Sequence, residues 1–132
     1  MRVIIESPYG GDDNKKEQNR RYAQRCLDDS INKKESPLAF HLLYTQVLDD
    51  DDPVKRTEGI ELSKDWYEYA EKVAVYVDFG ITNGMQEGID LSMKLGLPIE
   101  MRSIANEGLG YTNKGFRTYW SGQGRSARGY VD

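Results

Sequence analysis

The spacing of apolar residues changes period several times along the chain. Val3-Ile4-Ile5 is a continuous β-branched run, and Ser7-Pro8-Tyr9-Gly10-Gly11 follows Glu6 at once, so Arg2 to Glu6 reads as a buried strand ending in a tight loop. Tyr22, Ala23, Cys26, Leu27 and Ile31 then recur at helical spacing, which predicts a first helix over about 17–31. Asn32 and Lys33-Lys34 suit its end, where positive charge complements the helix dipole. Pro37 to Phe40 is short and apolar and reads as a second strand, running on into His41-Leu42-Leu43-Tyr44-Thr45-Gln46 and a run of four Asp, 49–52. Asp52 before Pro53 is a helix start, a capping carboxylate followed by proline at the first helical position. The second helix, about 53–70, is expected to turn Val54, Ile60, Trp66 and Tyr69 inward. Val73 to Val77 is the clearest strand, and it empties into the polar stretch Asp78 to Gly84. Thr82 or Asn83 can cap a third helix with Met85, Ile89 and Met93 on one face, Gly96 and Pro98 stop it, and Pro98 to Ile104 is a fourth strand.

Strands alternating with helices within one domain's length imply parallel strands joined by right-handed crossovers. The expected fold is therefore a flavodoxin/Rossmann-like three-layer α/β/α domain over residues 1–104, with a four-stranded, mainly parallel sheet. Residues 105–132 lack any period and are rich in Gly, Tyr, Ser and Arg, which predicts an irregular C-terminal extension.

Composition narrows the function classes. Hydrophobic residues make up 38% and charged residues 30% of the chain, a balance that favours folding over disorder. No apolar run approaches the ~18–20 residues of a membrane span, and Met1 to Pro8 turns polar too quickly for a secretory signal, so a cytoplasmic location and no membrane partner are expected. Cys26 and His41 are the single cysteine and the single histidine, which excludes an internal disulfide and the usual zinc ligand set; no metal or cofactor is expected. A net charge of -4 lacks the basic field that drives binding to duplex nucleic acid. The charge is uneven, however: Lys114, Arg117, Arg125 and Arg128 make the C-terminal segment basic.

In an open parallel sheet, ligands bind beyond the carboxyl ends of the strands, where the strand order reverses. Three polar segments are expected there: Ser7 to Gly11 after the first strand, His41 to Asp52 after the second and Asp78 to Gly84 after the third, with Asp78 among the ligand-binding residues. Ser7 to Gly11 offers a hydroxyl, an aromatic face and two glycines that let backbone N–H groups approach a ribose or phosphate, or it is an ordinary strand-to-helix turn. Thr82-Asn83-Gly84, with Met85 in the same first turn, sets a hydroxyl, an amide and backbone N–H groups at the positive end of a helix, a suitable anion site or simply a cap. His41 either lines the crevice and bonds a base or sugar, or is a satisfied, partly buried imidazole. Asp49 to Asp52 can hold a hard cation only if they converge; the alternative is a solvated loop whose last member caps the second helix.

Ser7-Pro8-Tyr9, the stretch Ala39 to Gln46 with Leu48 to Asp51, Gly59-Ile60, Gly84-Met85, Gly88-Ile89 and Leu95 to Pro98 together resemble a family of small phage and bacterial domains of unknown function with nucleoside 2-deoxyribosyltransferase-like architecture. A more distant similarity, through Ser7 to Gly11, Trp66, Ala70 and the third strand and helix, is to the 2'-deoxynucleoside 5'-phosphate N-hydrolases. Both resemblances imply a Glu on the third helix that attacks the anomeric carbon. Counted back from the Gly96 stop, that position falls on Gly88; its neighbour Glu87 is rotated away by about 100°. A second acidic group, implied on the second helix, falls near Ser63, between Glu61 and Asp65.

Three functions are therefore expected in order. The first is a nucleotide- or nucleoside-binding protein with a degenerate N-glycosidase pocket, which in a phage would sequester a nucleotide defence signal. The second is an active hydrolase or transferase with Glu87 as nucleophile, Asp78 or Asp65 as acid/base partner and Ser7, Tyr9 and Asn83 as substrate ligands. The third is a structural or protein-binding module. Homo-oligomerisation through Tyr111, Phe116, Tyr119 and Trp120 is expected in either of the first two cases.

Overall fold

The computed structural model describes residues 1–104 and the backbone of residues 118–120. Its elements run β1 (Arg2–Glu6), α1 (Asp13–Asn32), β2 (Ser36–Leu38), two 3-10 turns (Phe40–Leu42 and Tyr44–Gln46), α2 (Pro53–Tyr67), β3 (Lys72–Tyr76), α3 (Asn83–Leu95), β4 (Pro98–Arg102) and β5 (Thr118–Trp120). The sheet order is β2-β1-β3-β4-β5. The first four strands are parallel, with Ile4 opposite Leu38 on one side and Val73 on the other, and β5 runs antiparallel to β4. The order reverses between β1 and β3, the switch point at which such a fold opens a crevice.

Alternation along β1 sorts the two faces of the sheet. Val3 and Ile5 pack with Tyr22, Cys26, Ala74 and Tyr76 under α1. Ile4 packs with Val73, Val75, Met85, Ile89 and Tyr67 under α2 and α3. These two clusters make the three layers expected from the sequence. Arg102 is buried at the end of β4 and held by Glu35 at 2.6 Å and Glu100 at 2.6 Å, which ties β4 to the α1–β2 connection. Asp52 caps α2 by accepting from Val54 N at 3.0 Å, and Thr82 caps α3 by accepting from Met85 N at 3.2 Å. Gly96 ends α3 in the left-handed conformation that its missing Cβ permits.

Several details differ from expectation. Helix α1 starts at Asp13, four residues earlier than the apolar spacing indicates; its first turn is polar, and Asp12 caps it by accepting from Lys15 N at 2.8 Å. The second strand stops at Leu38, because Phe40 already begins a 3-10 turn, and the fourth stops at Arg102. Helix α2 ends at Tyr67, short of the expected end near 70; Val54 and Trp66 on it are exposed, as is Tyr69 just beyond it, and Tyr67 is its buried residue. The inward face of this helix is Gly59, Ile60, Ser63 and Tyr67; Ile60 lies there as expected, while Val54 and Trp66 mark the wrong side. Residues 118–120 form the strand β5, which three β-prone residues are too few to signal by period. The remainder of the expected extension, including Tyr111, Phe116 and the basic residues, lies outside the described residues, as do the side chains of Tyr119 and Trp120. No helix among the described residues is long and apolar enough to cross a membrane.

Candidate functional site

Above the switch point lies a cavity of about 390 Å³. The loop after β1 contributes Ser7, Tyr9 and Gly10, the chain after β2 contributes Phe40, His41, Tyr44 and Thr45, and the start of α3 contributes Thr82, Asn83, Gly84 and Met85. The three polar segments singled out from the sequence therefore meet around one space. Ser7 Oγ lies 2.6 Å from His41 Nε2, and the Tyr9 ring stands edge-on to the imidazole at 6.5 Å. Burial lowers the His41 pKa to about 4, so the ring is neutral at physiological pH and its unprotonated nitrogen can accept a hydrogen bond from the Ser7 hydroxyl.

Pro8, Gly11 and Asp78 were expected in the site but do not line it. Asp78 extends the alternation of Ala74 and Tyr76, which puts it on the α1 side of the sheet. There its carboxylate accepts from Tyr22 Oη at 2.6 Å, from Ile104 N at 3.1 Å and from Ser103 Oγ. Asp65 is exposed and outside the lining, and Glu61 pairs with Lys64 at 2.8 Å on the surface. Ser63 does line the cavity, donating to the Ile60 carbonyl at 2.7 Å. Glu87 reaches the lining from an exposed position on α3.

The Asp run does not converge. Asp49 accepts from Asp51 N, Asp50 faces Arg56 at 3.8 Å, Asp51 pairs with Lys16 at 2.5 Å and Asp52 caps α2. Arg56 and Lys55 supply positive charge at the rim. The Arg56 guanidinium lies against the first turn of α3, 3.6 Å from where a Cβ on Gly84 would sit. A helix N-terminus has unpaired N–H groups, so this corner suits an anion.

Glu6, like Phe40, Tyr44, Arg56 and Tyr67, is a lining residue that the sequence does not single out. It is 7% exposed and lies on the same face of β1 as Ile4, beneath α2 and α3. Its Oε2 accepts a hydrogen bond from Tyr67 Oη. Burial, partly opposed by that bond, raises its pKa from 4.5 to about 8. Gly88 is what admits it. A Cβ at position 88 would overlap Glu6 Oε2 and come within 2.6 Å of Glu6 Cδ and 2.8 Å of the Tyr67 hydroxyl. A carboxyl group from β1 thus fills the space where the resemblance expects a side chain from α3. The available signal is a charged residue closing an apolar run, Val3-Ile4-Ile5-Glu6.

The fold is that of the nucleoside deoxyribosyltransferase-like α/β proteins. A 2-deoxyribosyltransferase from the psychrotolerant bacterium Bacillus psychrosaccharolyticus superposes with a TM-score of 0.60 over 78% of this chain and 72% of that one, at 11% identity. Residues 1–102 match the family described as a domain of unknown function, DUF7768, and the chain belongs to it. No curated protein matches its sequence.

Proposed function

We propose that the chain binds a nucleoside, nucleotide or nucleotide-derived small molecule in the cavity above β1 and β3, with the N-glycosidase chemistry of its structural relative lost or rearranged. The convergence of the three switch-point segments on a space of about 390 Å³ carries this reading. That volume falls in the range of ~300–1,000 Å³ typical of small-molecule sites. Tyr9, Phe40 and Tyr44 offer faces for a base, Ser7, His41 and Asn83 offer polar groups for a sugar, and Arg56 with the α3 amides suits a phosphate. Gly88 supports the loss of the glycosidase nucleophile, since the position implied for it has no side chain and no room for one. In a phage such a protein would sequester a nucleotide signal, an extension supported by the family resemblance alone. Calorimetric titration with nucleoside monophosphates, ADP-ribose derivatives and cyclic nucleotides tests the reading. Saturable heat with at least one is expected, and no heat with any at high protein concentration ends it.

The presence of Glu87 in the lining keeps a second reading, an active N-glycoside hydrolase or transferase with Glu87 as nucleophile. Chromatography for released free base separates the two, and equal turnover by Glu87→Gln would remove that residue's role. We also propose a homo-oligomer assembled through residues 105–132. A fall in mass by light scattering on truncation at Ile104 is expected, and an unchanged mass argues against it.

A further inference from the structure

We propose that Glu6 is a specificity-determining residue of the cavity: it meets the ligand as an uncharged carboxylic acid and selects a group that accepts a hydrogen bond, such as a ring nitrogen or carbonyl oxygen of a nucleobase. The proposal rests on the nucleotide-binding reading above and adds what the floor of the site recognises.

The geometry supplies the reason. Glu6 lines the cavity, is almost wholly removed from water, and forms no ion pair among the described residues. Tyr67 is its hydrogen-bond partner there. An ionised carboxylate so placed lacks the compensation that buried charges require, so the group keeps its proton. Burial and the neighbouring Glu6 likewise hold the Tyr67 phenol well above its ordinary pKa. The pair then carries two acidic protons and shares one hydrogen bond. One O–H is left over to face the cavity from its floor, where it can donate to whatever acceptor occupies that depth. A ligand acceptor at that depth satisfies it, whereas a ligand that presents only a donor does not.

Of the titratable groups that line the cavity, Glu6 is the one packed against Tyr67 and Gly88 at its floor. From α2, Lys64 is engaged with Glu61 at 2.8 Å, Arg56 faces Asp50 at 3.8 Å and Lys55 lies at the rim. From the chain after β2, His41 is already neutral above its pKa of about 4, and Tyr44 is a phenol. Tyr9 comes from the loop after β1 and Glu87 from the exposed side of α3.

Two measurements on the full chain test this. Without ligand, the Glu6 side-chain carboxyl carbon is followed by NMR against pH; a midpoint near 8 is expected. A midpoint in the ordinary carboxylate range would overturn the proposal whatever the ligand. With ligand, the 5'-monophosphates of adenosine, guanosine, cytidine and uridine are titrated calorimetrically from about pH 6 to about pH 9.5, against the parent and Glu6→Gln. The ratio of the parent's association constant to that of Glu6→Gln is expected to stay level below about pH 7 and to fall about tenfold per pH unit above about pH 8, the nucleotide's own phosphate ionisation near pH 6 cancelling in the ratio. Gln keeps a donor that cannot ionise, so its affinity should stay within about threefold of the parent's at neutral pH and show no alkaline fall. A ratio that rises with pH, or one that stays flat across the range, would overturn the role of Glu6 while leaving nucleotide binding intact. No heat with any nucleotide would instead remove the nucleotide reading and the selection together.

Discussion

Replacing Glu6 by Gln keeps the shape of the side chain and removes its ionisation, so the stability difference between the two proteins reports the buried carboxyl directly. In the unfolded chain Glu6 ionises near its ordinary 4.5; in the native cavity burial moves this to about 8. Because the folded value is raised, the native state retains a proton that the unfolded chain has released between those limits. Native stability therefore drops as pH climbs from about 4.5 to about 8 and levels off beyond. At about 1.4 kcal/mol for each tenfold change in proton affinity, the loss is about 3 kcal/mol by pH 7 and about 5 kcal/mol above pH 8. A domain with ~5–15 kcal/mol in total would show it plainly. Urea unfolding at about pH 5, 7 and 8.5 is the assay. Glu6→Gln should unfold with the parent near pH 5 and become progressively more stable than it toward pH 8.5. The slope from His41 is common to both and cancels. A difference that does not change with pH, or one that moves the other way, would refute a neutral buried Glu6.

Three further outcomes follow from the site. Gly88→Ala drives a Cβ into Glu6 and Tyr67 and should cost about 1–3 kcal/mol in thermal unfolding, with much of the loss relieved in the double variant Gly88→Ala/Glu6→Ala. His41 has a lowered native pKa, about 4 against 6.5, so stability should fall as pH drops through that window, and His41→Asn should flatten that acid limb in the same assay. Arg56→Ala should weaken a nucleoside monophosphate by about fivefold and leave the matching nucleoside nearly unchanged in calorimetry, since its guanidinium borders the first turn of α3 and is partly solvated.

The four parallel strands and the third helix were legible because their signals are local. Val3-Ile4-Ile5, Val73 to Val77, the Asp52-Pro53 start and the Gly96 stop each act within a few residues, and the parallel order follows from their alternation with helices. The second helix misled for a physical reason: its inward face lines a polar cavity, so Gly59, Ser63 and Tyr67 point in while Trp66 points out and Tyr69 lies beyond its end. Asp78 misled because its loop belongs to the crevice but its own place in the strand alternation does not. Glu6 and Gly88 lie 82 positions apart, and their mutual fit depends on the packing of α3 against β1, which no local pattern reports.

Backbone NMR of the full chain, titrated with a nucleoside 5'-monophosphate, tests most directly whether the switch-point cavity is a nucleotide site. Shifts should concentrate at the amides of Ser7, Tyr9, Gly10, His41 and Asn83 to Met85, and those of α1 should stay put. Saturable binding that moves other amides and leaves these unchanged would contradict it.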